Sequence, residues 1–314
     1  MYKIADFVRV VDVNDHFLVE YRKIWKISKT PESIDVINAV CSSGLKKEDL
    51  LAKTKTFAFL KKQKLVKSNP PLDTHINPRT YYFIEGLVGN PDKAFVSLDR
   101  QRVCIVGLGG IGGSILQHLC GSHISRFLLV DFDRVEDNNL NRQYLYSKDD
   151  IGKYKTDVCR EYVNKHADYP NNVSVFRARI ETATQLIKIA KSFDPTLIVC
   201  AADKPYNISR IVGTAASTLK SKAIQGGVGP DFASYSFYDK PTAGTFTQVP
   251  RKSRNTTVIH ERQVSYGSFG PTNSILAAMM SNDIVMSVIK GKCFGQVSGR
   301  KNVLDFRRFS FESI

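Results

Sequence analysis

The chain has 314 residues, 42% of them hydrophobic, with 45 Lys and Arg against 30 Asp and Glu and a formal net charge of +15. That leaves room for one large or two modest domains with a proper core. No run approaches the roughly 18 apolar residues of a membrane span, and Met1-Tyr2-Lys3-Ile4-Ala5-Asp6 lacks the apolar core of a signal peptide. The positive balance favours acidic partners, and no aromatic–basic pattern of the common nucleic-acid modules is present. Cys41, Cys104, Cys120, Cys159, Cys200 and Cys293 are scattered and form no CxxC, so they read as reduced thiols of a cytoplasmic protein, with no zinc expected.

Residues 1–68 read as a separate small domain. Residues 7–13 and 17–27 are β-rich, with Asn14-Asp15 as the turn between them. Thr30-Pro31-Glu32 opens a helix with Thr as cap and Pro in the first turn; Ile34, Ile37 and Cys41 form its apolar face and Gly44 closes it. Two short helices are expected at 47–52 and 56–63. A strand hairpin with three helices predicts a winged-helix arrangement. It carries Lys46, Lys47, Lys53, Lys55, Lys61, Lys62, Lys64 and Lys67, which suit nucleic acid or an acidic peptide. Residues 69–95, with Pro70-Pro71, Pro78 and Gly89-Asn90-Pro91, read as a linker whose middle, 81–87, is helical or extended. Residues 96–314 form the second domain.

That domain is organised around residues 103–155. The apolar strand Val103-Cys104-Ile105-Val106 runs into Gly107-Leu108-Gly109-Gly110-Ile111-Gly112, an apolar helix to about Cys120, and a strand 127–130 ending at Asp131. This is the strand–turn–helix–strand pattern of nucleotide-binding sheets. Its glycines let the backbone approach phosphate, the helix N-terminus favours an anion, and Asp131 can accept hydrogen bonds from ribose hydroxyls. Beyond it come Asp133, Asn138-Asn139-Leu140-Asn141-Arg142-Gln143 and Gly152-Lys153-Tyr154-Lys155. Arg and Lys gathered here suit a triphosphate, with Asn and Gln holding the neighbouring loop.

The βα alternation continues with a helix over 150–166 and strands near 173–177 and 197–200. Asp203 follows at the carboxyl end of the last of these, where open α/β sheets bind ligands. Residues 232–238 and 245–249 alternate as antiparallel strands would. Residues 250–268 (Arg251, Lys252, Arg254, His260, Glu261, Arg262) read as a polar crossover loop, 271–289 as an apolar core or dimer helix, and 302–311 as a final strand.

Taken in order, G-x-G-G-x-G, D-F-D, N-x-x-R-Q and G-x-x-K resemble the adenylation domain of the ubiquitin-activating-enzyme-like superfamily, which includes the molybdopterin- and thiamine-sulfur activators. The resemblance covers about residues 75–290. It implies an α/β fold with a Rossmann-like doubly wound sheet that binds ATP through Gly107, Gly109, Gly110, Gly112, Asp131, Asp133, Asn139, Arg142, Gln143 and Lys155. Asp131 would take the ribose, and Asn139, Arg142 and Lys155 the phosphates. Asp203 would hold Mg2+, an ion that suits one carboxylate plus phosphate oxygens and water; a helix cap is the other reading of the same residue. The resemblance also implies a homodimer in which a basic residue reaches the partner subunit's ATP site. Arg79 is the nearest candidate, although the family pattern places that residue where this chain has Tyr82.

Sulfur-carrier activators carry two CxxC pairs, and neither is present here; residues 201–292 contain no Cys for a thioester relay. A winged-helix domain fused to a zinc-free adenylating core is similar to the peptide-modifying members, of the microcin C7 and pantocin A kind. The expected function is therefore ATP-dependent adenylation of a carboxylate, a Glu side chain, in an acidic ribosomally made precursor peptide during antibiotic biosynthesis. The leader would add as a strand to the hairpin edge. The alternatives are a sulfur-carrier or ubiquitin-like-protein adenylyltransferase and, in other classes, an NAD-dependent oxidoreductase or a DNA-binding regulator.

Overall fold

The computed structural model describes residues 1–5, 7–68, 77–88, 91–167, 169, 171–242, 268–291, 299–308 and 310–313. The chain forms two compact units, Met1–Asp92 and Lys93–Ile314.

In the first unit β1 (Tyr2–Ile4) precedes an antiparallel sheet of β2 (Arg9–Val13), β3 (His16–Tyr21) and β4 (Lys23–Ser28). Residues 17–27, read from sequence as one arm, are thus two strands. Arg22 adopts φ 56°, and Tyr21 pairs directly with Lys23, so the chain reverses there. β3 is central, and β2 and β4 are the edges. α1 (Pro31–Cys41) starts at the expected cap: Thr30 Oγ1 accepts from Ser33 N–H at 3.1 Å, and Ser33 Oγ accepts from Thr30 N–H at 2.8 Å. Gly44 closes it at φ 85°, its N–H reaching Ala39 O at 2.7 Å. A single 3-10 turn, Leu50–Lys53, leads to α2 (Lys55–Lys62), and β5 (Val66–Ser68) returns to pair with β1. Val19, Val36, Val40, Leu60 and Leu65 are fully buried between sheet and helices and form the core of this unit. Residues 78–88 form α3 (Pro78–Val88); its Glu85 carboxylate accepts from Ser68 N–H at 3.0 Å and Ser68 Oγ–H at 2.5 Å.

α4 (Pro91–Asp99) leads to β6 (Arg102–Val106), α5 (Gly110–Cys120), β7 (Arg126–Val130), α6 (Lys155–His166), β8 (Asn172–Phe176), α7 (Ala183–Ala190), β9 (Leu197–Cys200), α8 (Ile208–Leu219), β10 (Lys222–Val228), β11 (Phe232–Tyr238), α9 (Gly270–Ile289), β12 (Lys301–Asp305) and β13 (Ser310–Ser313). They build one eight-stranded sheet in the order β13-β12-β11-β10-β9-β6-β7-β8. β10, β9, β6, β7 and β8 are parallel, and β11 to β13 extend the sheet antiparallel. From β6 the chain moves outward first through β7 and β8, then returns and moves the other way through β9 and β10. This is a doubly wound sheet, and its switch point lies at the carboxyl end of β6. One face packs on α7 and α8, through Cys104, Val106, Leu128, Val130, Ile198 and Cys200. α5 and α9 lie together on the other.

Two elements of the second unit differ from the sequence reading. α6 starts at Lys155 and not near residue 150, because Asp150 closes a 3-10 turn by accepting from Ser147 N–H at 3.0 Å, and Gly152 follows at φ 87°. Residues 302–311 are a hairpin and not one strand: Asp305 Oδ1 accepts from Arg307 N–H (2.8 Å) and Arg308 N–H (3.2 Å), turning β12 into β13. The strand expected at 245–249, Arg251, Lys252, Arg254, His260, Glu261 and Arg262, Pro70-Pro71 and Cys293 lie outside the described residues.

Candidate nucleotide site

The site stands at the carboxyl ends of β6, β7 and β9. Gly107 leaves β6 at φ 91°, and a Cβ there would lie 2.6 Å from Ala202 N and 2.8 Å from the Ala201 carbonyl carbon. No L side chain fits that contact, so only glycine lets the β6 turn and the β9 exit touch. A Cβ on Gly112 would overlap Gly107 O, and one on Gly110 would lie 2.9 Å from Arg142 O. The helix is thereby drawn onto the strand on one side and the Arg142 loop onto the helix on the other. α5 starts at Gly109 with no side-chain cap, so its first-turn N–H groups are left for an anion.

Asp131 is 8% exposed and organises the turn. One oxygen accepts from Leu108 N–H at 2.6 Å and the other from Asp133 N–H at 2.8 Å. Burial pushes its carboxyl above the usual carboxylate range, against the lowering by those two N–H groups and by Lys155. Each oxygen keeps a further lone pair for hydroxyl donors. Asp133, whose side chain is 45% exposed, accepts from Lys155 Nζ at 3.0 Å. The Lys155 side chain is only 5% exposed, so an ammonium is held nearly dry at the first turn of α6. Asn139 holds the loop: its Nδ2 donates to Asn138 Oδ1 (2.6 Å), and its Oδ1 accepts from Glu136 N–H (3.2 Å). Arg142 uses Nη1 on Asn138 O (2.7 Å) and Asn141 Oδ1 (2.9 Å). Its remaining guanidinium N–H groups make no hydrogen bond among the described residues. Gln143 is buried beside Gly109, and its Oε1 has no partner among the described residues.

Residues 88–314 match the ThiF family. The chain belongs to the ThiF family. It is 30% identical over 189 residues to the adenylyltransferase and sulfurtransferase UBA4 of Eremothecium gossypii, covering 59% of this chain and 41% of that protein. It is 31% identical over 131 residues to a sulfur carrier protein adenylyltransferase of Thermus thermophilus, covering 42% and 46%. The chain thus spans less than half the length of these curated relatives. Among solved structures, E. coli MccB with ATP superposes with a TM-score of 0.71 at 21% identity, covering 100% of this chain and 96% of that one. PaaA superposes with a TM-score of 0.71 at 20% identity, covering 99% and 98%. These likenesses establish a common fold across both units.

In this ThiF-family chain the sheet gathers Gly107, Gly109, Gly110, Gly112, Asp131, Asp133, Asn139, Arg142, Gln143 and Lys155 at one edge. The glycine cradle and the uncapped α5 N-terminus fit a phosphate-bearing nucleotide. Asp203 lies just past the Ala201-Ala202 backbone that Gly107 touches; it is exposed, as a residue sharing a cation with phosphate oxygens would be. No group of three His, Cys, Asp or Glu comes together among the described residues. Arg79 stands in the first unit, exposed at the start of α3, and Tyr82 carries Lys67 Nζ over its ring at 3.9 Å. Sequence reasoning missed two residues. Tyr146 Oη–H donates to Leu108 O at 2.6 Å from a buried position, and Asn273, on the first turn of α9, packs against Gly110. Neither carries a motif; both are recruited by packing. The thiols of Cys104, Cys159 and Cys200 are buried and pushed up to about 12.

Proposed function

We propose that this protein uses ATP to adenylate a carboxylate of a peptide, a glutamate side chain of an acidic ribosomally made precursor, on the way to a modified or cyclised product. The observation that carries this is the buried Lys155 paired with Asp133 beside an uncapped glycine cradle: a dry cation next to an anion site is suited to charge developing on phosphate. The substrate carboxylate oxygen attacks the α-phosphorus and pyrophosphate departs. Leu108 N–H and Asp133 N–H lock Asp131 for the ribose, the free fork of Arg142 takes phosphate oxygens, and Lys155 neutralises charge on the departing group. A magnesium ion, when held by Asp203 and the phosphates, adds Lewis-acid polarisation. The fold shared with MccB, which was solved with the peptide MccA, supports a peptide substrate. The edges of the β2–β3–β4 sheet suit leader binding by strand addition. A cytoplasmic homodimer with Arg79 reaching the partner subunit's site completes the proposal.

The names of the curated relatives favour a second reading, adenylation of a sulfur-carrier or ubiquitin-like protein. Pyrophosphate–ATP exchange separates them. Exchange stimulated by an acidic Glu-containing peptide supports the first reading. Exchange stimulated only by a carrier protein with a free C-terminal glycine supports the second. Hydride transfer from a nicotinamide with no exchange defeats both.

A further inference from the structure

Gln225 lies on β10, in register with Cys200, the last residue of β9. The two faces of β10 differ. A Cβ on Gly226 would meet Met280 Sδ at 2.6 Å, so that face is pressed onto α9. Ala223, two residues before Gln225, packs on the α7–α8 side, and the strand's period of two puts Gln225 and Gly227 on that side as well. Gly227 is exposed, with nothing within 4 Å of where a Cβ would stand. Gln225 is 8% exposed, its Oε1 is shut from water with no partner, and its Nε2 makes no hydrogen bond among the described residues. A buried amide left unmatched is costly and needs an explanation. The terminal torsion of a glutamine turns easily, so either end of the amide can face the opening over Gly227.

The order of strands sets β10 beside the site. Along the carboxyl edge, Asp131 follows β7, the glycine turn follows β6 and Asp203 follows β9, while Gln225, midway along β10, is level with the last residue of β9. The ribose acid is therefore on one flank of the glycine turn and Gln225 on the other, two strand spacings or about 10 Å away. That flank is left for the acyl group. An amide that can both donate and accept is complementary to a peptide main chain, which offers N–H and C=O together. We infer that Gln225 pairs with a main-chain amide of the acyl substrate and so positions its carboxylate for attack, bare Gly227 allowing the close approach. This rests on the adenylation reading above.

The test uses the full chain, Gln225→Met, and two probes at millimolar concentration: acetyl-Gly-Glu-Glu-Gly-amide and its N-methylated form. In pyrophosphate exchange the variant raises KM for the first probe about tenfold, the loss expected of one hydrogen bond, with kcat and the Kd for ATP unchanged. N-methylation costs the wild type a similar factor and the variant little. Tm holds or rises by about 2 °C, because an unmatched amide has been replaced by an apolar chain of the same shape. An unchanged KM in an enzyme that exchanges well overturns the positioning role alone. So does a loss that falls on ATP binding, or a fall in Tm, which would reveal a structural partner. No exchange by wild type with the probe, although ATP binds, overturns the adenylation reading and this inference together.

Discussion

The Lys155–Asp133 pair makes an asymmetric prediction. The ammonium side is 5% exposed and the carboxylate side 45%. Asp133→Ala strips the partner from a nearly dry cation, and breaking a fully buried pair costs roughly 3–5 kcal/mol. Here water reaches the Asp133 end and Asp131 stays nearby to share the charge, so about 2 kcal/mol is expected. Lys155→Met removes the desolvated charge itself and fills the same space with an apolar chain, leaving Asp133 to water. Its cost is expected within about 1 kcal/mol of zero, or it stabilises. Thermal unfolding followed by a probe in the second unit reads these as a fall of roughly 4–8 °C for Asp133→Ala and little change for Lys155→Met. Activity inverts the order: Lys155→Met, the better-folded variant, loses at least about 100-fold in pyrophosphate exchange. Equal destabilisation by the two variants, or exchange surviving in Lys155→Met, would refute this account of a cation buried for chemistry.

Gly112→Ala forces its Cβ into Gly107 O, so ATP affinity measured by calorimetry should fall at least about tenfold while the rest of the sheet persists, as hydrogen exchange in β9 and β10 would show. Asp203→Ala, at an exposed position, should leave Tm within about 1 °C and remove the magnesium dependence of exchange; unaltered dependence places the ion elsewhere. Asp131 has its carboxyl pushed up by burial, so the folded state holds its proton more tightly than the unfolded state. Its stabilising contribution is full below the ordinary carboxylate pKa and is lost as pH rises through the folded value. Relative to Asp131→Asn, the wild type should therefore lose urea stability as pH rises from about 3.5, then level off; a wild type that gains on the variant as pH rises would contradict it. Iodoacetamide at pH 8 should label Cys41, which is exposed, and spare Cys104, Cys159 and Cys200, whose thiols stay protonated; rapid labelling of any of these three, with loss of exchange, would reopen a thioester relay.

What was legible in the chain itself were the local dictates. Thr30 followed by Pro31 specifies a helix start, because a side-chain acceptor and a preset φ act within one turn. The run Val103–Val106 into the glycine turn specifies a buried strand meeting a helix N-terminus, because glycine spacing and apolar continuity are properties of adjacent residues. The reversal at Arg22 was not legible, since an Arg at positive φ carries no turn signature and is held there by the pairing of β3 with β4. The hairpin at 302–311 turns on a local contact, Asp305 accepting from the N–H groups of Arg307 and Arg308 two and three residues on, a signal that the reading of one continuous strand passed over. In the site, the motif residues were named from sequence, but their division of labour came from packing. Burial makes Lys155 a dry cation and leaves Asp133 wet, a difference invisible in the letters Asp and Lys. Tyr146, Asn273 and Gln225 lie 38 or more residues from Leu108 or outside any motif, and they enter the site only because sheet order and helix packing bring distant segments to one edge. Contacts within a few residues follow from local sterics and hydrogen bonding, whereas contacts across the sheet depend on which faces are buried together, and only the tertiary structure decides that.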